Sequence, residues 1–340
     1  MLRRDIDDYH FLADPKTGMT LRWGKTAKDN PVFASVPELA DISISNHCTK
    51  ECSFCYRNSK ANYEFMTVED YCHVLDGMNH PKYGNVFQVA LGGGEPLEHP
   101  HFLLIIDETI KRGIIPNLTT NGIHLTSKLC KEIKEKVGAV ALSITSVNDS
   151  FSDKVSLLCQ EDIRTNIHYV LSSQNIGEAI KILRGEFNKC FEGVNAVIFL
   201  TYKPAGRANI NHIIKNDYLL DEFLKMTSLK KNIRPKIGFD ACFVPTLLYS
   251  TNIHPELIDT CEGGFFSVYI DHQMHVSPCS FSAGKDSFSL KEYNFYDIWL
   301  NKFETYRLNK NRCKRTDCPS HNQCRGCCSY YPEITTCYVD

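Results

Sequence analysis

From Leu39 to Tyr202 the chain alternates short apolar, β-branched runs with longer stretches where apolar residues recur every three or four positions and charges fill the opposite face. The short runs suit strands buried on both sides, and the three-to-four spacing suits amphipathic helices. Six strands are expected, at 39–45, 86–91, 114–120, 139–145, 165–171 and 194–202, with segments such as "TVEDYCHVLDGM", "HFLLIIDETIKR" and "SKLCKEIKEKV" as crossover helices. Parallel strands need a crossover of about a dozen residues or more, and such crossovers are right-handed. Six in series curl a sheet toward a barrel, and the pattern is too short for eight repeats. The expected fold class is therefore α/β, a partial (β/α)6 TIM-like barrel.

The alternation stops after Tyr202. "KPAGRAN" reads as a turn, 217–230 as a helix, and from about Gly238 cysteine, glycine and turn residues dominate. Four segments follow: an N-terminal extension (1–38) with a hairpin turning at Thr17 and Gly18, a barrel (39–215), a helical linker (216–237) and a small Cys-rich domain (238–340). No repeat or low-complexity segment interrupts them.

Composition narrows the partners. With 38 Lys and Arg against 40 Asp and Glu, the formal net charge is -2, so no whole-molecule field favours nucleic acid or an anionic membrane. No stretch approaches the roughly 18 apolar residues of a membrane span, and the basic residues at the start have no apolar run behind them, so a cytoplasmic location is expected. Sixteen cysteines are many for a reducing compartment, where their spacing should mean metal or redox chemistry.

Directly after the first strand, "HCTKECSFCY" places Cys48, Cys52 and Cys55 within one loop. In barrels of this kind reactive groups sit on loops after the C-terminal ends of strands. A structural zinc site closes with four ligands, which these three do not supply. An iron–sulfur cluster is usually held by four cysteines, so three leave one iron open. After the second strand, "LGGGEP" lets the backbone approach a ligand closely at Gly93 and Gly94, and Pro96 stops the strand.

The spacing Cys-x-x-x-Cys-x-aromatic-Cys, with Phe54 in the aromatic position, resembles the radical S-adenosylmethionine (SAM) enzymes. The resemblance implies a 4Fe-4S cluster on Cys48, Cys52 and Cys55, and SAM held by Gly93, Gly94 and Glu95 through its amino group. It extends to Asn121 at the end of the third strand, to Ser143 on the fourth, and to Leu200 at the edge that flanks adenine. Thr145 stands where the family often has an acid. The implied chemistry is reductive cleavage of SAM to a 5′-deoxyadenosyl radical that abstracts hydrogen, the cofactor supplying the reactivity and the protein placement. A reductant such as flavodoxin or ferredoxin is the implied electron donor.

In the tail, a zinc ribbon could use Cys313, Cys318, Cys324 and Cys327, but it leaves Cys261, Cys279 and Cys337 unexplained. The arrangement resembles the SPASM extension, which holds two auxiliary 4Fe-4S clusters. On that pattern Cys261, Cys279 and Cys328 bind the first, with Cys242 or Cys327 as fourth ligand, and Cys313, Cys318, Cys324 and Cys337 bind the second. Met274 stands where the family favours glycine. Ser280 stands where the sulfatase-maturing relatives place a basic Asp, which argues against that activity. Cys72, Cys130, Cys159 and Cys190 read as small apolar residues.

The basic run with Arg307, Lys310, Arg312, Lys314 and Arg315 lacks interleaved stacking aromatics and reads as a solvated face that offsets cluster charge, not a nucleic-acid site. His47, His99 and His101 read as rim or packing residues. Asp240, Asp271 and Tyr202 are candidate proton acceptors by proximity to the motifs. The expected activity is hydrogen abstraction from a peptide or protein substrate. A small metabolite or sugar is the alternative substrate, and a zinc-stabilised binding module the alternative of another class.

Overall fold

The computed structural model describes residues 1–26, 29–229, 233–253, 258–282, 284–310, 313, 315–318, 320–321 and 324–337. Its centre is a ten-stranded sheet. β4 (Leu39–Ser45), β5 (Gln88–Gly93), β6 (Ile115–Thr120), β7 (Val140–Ile144), β8 (Thr165–Leu171) and β9 (Ala196–Thr201) are the six expected strands, adjacent in chain order and parallel throughout. The sheet then continues past both ends of this series. β10 (Lys236–Phe239) pairs parallel with β9, and β11 (Ser267–Ile270) pairs parallel with β4. β12 (His275–Ser277) and β13 (Phe288–Ser289) add antiparallel strands beyond β11, and the sheet stays open. The composition shift near Gly238 therefore falls inside a sheet strand.

Crossover helices α1 (Val68–Gly77), α2 (Phe102–Lys111), α3 (Ser127–Ile133), α4 (Asp149–Cys159) and α5 (Ile176–Leu183) cover the convex face, and α6 (Tyr218–Leu229) leads into β10. Their starts are capped by side chains: Thr67 accepts from Asp70 N, Thr126 from Leu129 N and Asn148 from Phe151 N. Each such cap satisfies a backbone donor that the first helical turn leaves without a partner. Because strand side chains alternate faces, Ala40, Ile42 and Ile44 of β4 enter the core with Tyr71, Leu75, Ile105 and Ile106. The opposite face is the barrel lumen, and it is polar. Asn117 Nδ2 donates to Gln88 Oε1 at 3.0 Å, and Asn195 Nδ2 to Asn166 Oδ1 at 2.7 Å. These residues line a cavity of about 330 Å³ at the N-terminal mouth.

The turn at Thr17 and Gly18 covers that mouth. It joins β2 (Tyr9–Asp14) to β3 (Met19–Trp23) as expected, and β1 (Leu2–Ile6) makes the extension a three-stranded sheet. A buried polar group ties this sheet down: Tyr9 Oη donates to Glu38 at 2.7 Å, and Arg22 pairs with Glu38 at 3.0 Å and Glu262 at 2.5 Å.

The tail carries α7 (Val244–Ser250), a π-helical turn (Asp297–Lys302) and α8 (Glu304–Lys310). Here the reading of the basic run as a solvated face is corrected. Arg307 and Lys310 are buried, Arg307 bonding the Gly264 and Trp299 carbonyls and Lys310 the Cys327 carbonyl. Their long aliphatic stems pack while their charged ends find backbone acceptors. Arg315 bonds the Cys337 carbonyl at 3.1 Å; Arg312 and Lys314 lie outside the described residues.

Candidate active site and cysteine groups

The triplet loop leaves β4 at Ser45 and is held against the end of β5. Gly94 N donates to Ser45 O and Glu95 N to His47 O, both at 2.8 Å. A Cβ on Gly93 would lie 2.2 Å from Ser45 O, and one on Gly94 would lie 1.9 Å from His47 O. The glycine motif is thus the seat of the cysteine loop. Glu95 is buried, accepting from Thr120 Oγ1 at 2.6 Å, Asn121 N at 2.8 Å and Leu97 N at 3.1 Å. Burial raises its pKa against these donors. The Asn121 side chain caps its own turn by accepting from Ile123 N at 2.8 Å.

Glu98, unmarked in the sequence, braces the loop from the same side. It accepts from Thr49 Oγ1 at 2.6 Å and pairs with His47 at 3.1 Å and His124 at 2.9 Å. His99 packs as expected, its Nε2 2.9 Å from Met66 O. Arg207, in the turn after β9, clamps the loop from the other side. Its Nε donates to Cys52 O at 2.9 Å, its Nη1 to Ser59 O at 2.7 Å, and its backbone N to Cys55 O at 3.0 Å. Burial pushes the Cys48 and Cys52 thiols up, so metal binding there must displace protons.

Beside the loop a cleft of about 520 Å³ opens at the C-terminal ends of β7, β8 and β9. Phe54 lines it with Thr145, Gln174, Tyr202, Asn209 and His212. Ser143 and Leu200 lie one turn of pleat below this rim on β7 and β9. Tyr202, a candidate proton acceptor, donates its hydroxyl to Asn209 O at 3.1 Å. Asp271 accepts from Gln273 N and His275 N at 2.9 Å, a turn-capping role.

The tail thiols, all free, fall into two groups. Cys242 donates to Cys328, which is drawn down to about 6 by that bond, while burial and the neighbouring Cys261 and Cys328 push Cys279 up to about 12. Burial, then Cys324, Cys313, Cys318 and Cys327, push Cys337 up to about 12. The backbone links Cys313 N to Cys324 O at 2.9 Å. Cys242 therefore stands beside Cys328, and Cys327 is among the thiols that act on Cys337. No three His, Cys, Asp or Glu side chains among the described residues close on one point tightly enough for a single metal ion. Thiolates are the donors that iron–sulfur clusters take.

The triplet loop and the Cys279 loop meet where Tyr56 packs on Phe281, ring centroids 4.5 Å apart. Next to this contact is a cleft of about 360 Å³ lined by Arg57, Tyr269, His275, Ser277, Ser280 and Ser282.

The fold and the site together are an open parallel barrel with three thiols on its first C-terminal loop, seated on a glycine motif. Residues 42–203 match the family model described as the Radical SAM superfamily, a domain that implies SAM and a 4Fe-4S cluster. Among similar proteins, the tungsten-containing aldehyde ferredoxin oxidoreductase cofactor-modifying protein of Pyrococcus furiosus is 30% identical over 96 residues, 28% of this chain and 26% of that protein. The probable GTP 3′,8-cyclase of Methanocaldococcus jannaschii is 32% identical over 120 residues, 34% of this chain and 39% of that protein. These matches span well under half of either curated relative. The structure of Streptococcus suis SuiB bound to precursor peptide SuiA superposes with a TM-score of 0.68 at 17% identity, covering 87% of this chain and 72% of that one. No helix among the described residues is long and apolar enough to cross a membrane.

Proposed function

We propose that this enzyme modifies a peptide or protein side chain by oxidative radical chemistry. Cys48, Cys52 and Cys55 hold the SAM-binding cluster. Cys242, Cys261, Cys279 and Cys328 hold a first auxiliary cluster, and Cys313, Cys318, Cys324 and Cys337 a second. The carrying observation is the packing of Tyr56, next to Cys55, on Phe281, two residues after Cys279, which brings the triplet loop and a tail cysteine loop together.

When bound, the cluster and SAM supply hydrogen abstraction from an unactivated C–H bond. The chain's own work is placement. Arg207, Glu98 and the Gly93–Gly94 seat fix the triplet loop, and Phe54 and Tyr202 wall the cleft that would take the adenosyl part. The cleft between Arg57 and Ser280 lies between two cysteine loops, where a substrate would meet both. The fold shared with SuiB, whose structure holds a precursor peptide, supports the peptide reading. The similarity to a nucleotide cyclase supports a small-molecule substrate as the second reading.

Anaerobic reconstitution tests the first half: about twelve irons per chain and deoxyadenosine release are expected. Cys52→Ala should abolish cleavage while leaving tail iron in place. Bound zinc without SAM cleavage would refute the assignment. Mass shifts in a peptide encoded beside the gene, against none in candidate metabolites, decide the substrate.

A further inference from the structure

The C-terminal ends of β9 and β10 hold a buried ion pair that none of the motifs accounts for. Lys203 leaves β9 at a point where its side chain is only 3% exposed. Its ammonium donates to Asp240 Oδ2 at 2.7 Å and to Thr201 O at 3.0 Å, and lies 4.4 Å from the centroid of the Phe281 ring. Asp240 is saturated on its other oxygen, which accepts from Thr201 Oγ1 at 2.6 Å and Phe243 N at 3.2 Å. Phe281 lies two residues after Cys279 and Asp240 two before Cys242. The pair therefore sits in the wall of the first cysteine group.

Its two charges are not equivalent toward that group. Lys203 faces the Cys279 loop through the Phe281 ring, while Asp240 lies on the side of the Cys242 turn. The low polarisability of a buried site lets a fixed charge act strongly. A cluster on four thiolates is anionic and gains a further negative charge on reduction. A buried cation on one side stabilises the reduced form more than the oxidised form.

We propose that Lys203, oriented by Asp240 and Thr201, is a positioning residue that raises the reduction potential of the cluster held by Cys242, Cys261, Cys279 and Cys328. The inference rests on the auxiliary-cluster reading above. Lys203 adds no ligand and takes no proton; it sets where an electron is more stable.

The test is redox titration followed by electron paramagnetic resonance, performed on Cys48→Ala/Cys52→Ala/Cys55→Ala protein so that only tail clusters give signals. In that background Lys203→Met should lower the reduced-to-oxidised ratio of one signal about tenfold at fixed potential, roughly 59 mV for one electron, and leave the other signal unmoved. Asp240→Asn should shift the same signal the opposite way, and Lys203→Arg should restore it. Two signals with unchanged midpoints in Lys203→Met overturn the proposal and leave the cluster reading intact. Where Lys203→Met fails to retain iron, Asp240→Asn decides: a raised midpoint supports the proposal and an unchanged one overturns it. The absence of any tail signal in the triplet variant overturns the auxiliary-cluster reading and this inference with it.

Discussion

Gly94 meets the carbonyl of His47 with no room for a side chain, since a Cβ would stand 1.9 Å from that oxygen. The obstacle is backbone, which no rotamer change can move aside. Gly94→Ala must therefore displace the loop carrying Cys48, and a shift of about 1 Å at a reacting centre costs roughly 100-fold in rate. SAM cleavage should fall by about that factor, with the tail iron unchanged. Wild-type cleavage in Gly94→Ala would show that the triplet does not depend on this seat.

Among the described residues, Arg207 is the side chain that ties the Cys52 and Ser59 carbonyls together. Hydrogen bonds from a charged donor contribute about 1.5–3 kcal/mol each. Arg207→Ala should loosen the loop without removing a thiol. The expected outcome is faster loss of triplet iron to a chelator, read by iron release, while Arg207→Lys recovers part of the hold. Equal release rates in wild type and Arg207→Ala would refute the clamp.

Cys242 and Cys327 offered two ways to complete the first tail group, and the thiol of Cys242 stands beside Cys328. Cys242→Ala should lower reconstituted tail iron by up to about four per chain. Cys327→Ala should leave it near wild type. The reverse pattern, read by iron and sulfide assay, would exchange their roles.

The six barrel strands were legible because their apolar runs are separated by helix-length crossovers, and the triplet because its spacing is local. β10 and β11 were not, because each has four residues and joins the sheet through contacts distant in sequence. Arg207 was hidden for the same reason: it lies more than 150 residues from Cys52, and nothing in "KPAGRAN" marks it as a partner. In the sequence Lys203 reads as part of a turn and Asp240 as a candidate proton acceptor, and only the parallel pairing of β9 with β10 makes them a pair. Composition misjudged Arg307 and Lys310, since charge alone does not reveal a buried backbone acceptor.

Glu38 predicts a pH dependence of stability. Burial raises its pKa from 4.5 to about 7, Glu262 and Asp259 adding to that while Arg22 and Tyr9 oppose it. An acid whose folded pKa lies above its unfolded value contributes stability that is complete below the unfolded pKa and is lost as pH rises through the folded one. The window here runs from 4.5 to about 7. Across it the wild type should lose up to about 3 kcal/mol relative to Glu38→Gln, which keeps the shape and does not titrate. Denaturation midpoints at the two ends of the window measure this, and parallel pH profiles would refute it.

Met274 occupies the turn between β11 and β12 with φ of 65°, a left-handed conformation that explains why a glycine would serve there. Holding a non-glycine residue in that region costs about 1–2 kcal/mol. The Met274 side chain, however, is buried in the main core, and truncating a buried methionine costs about 2–5 kcal/mol. The second effect is the larger. Met274→Gly should therefore destabilise the protein by about 1–3 kcal/mol despite relieving the backbone, and Met274→Ala, which keeps the strain and loses the packing, should destabilise it more. Thermal unfolding of the three proteins under identical cluster loading orders them as wild type above Met274→Gly above Met274→Ala. Met274→Gly melting above wild type would mean that backbone strain, not packing, governs this turn.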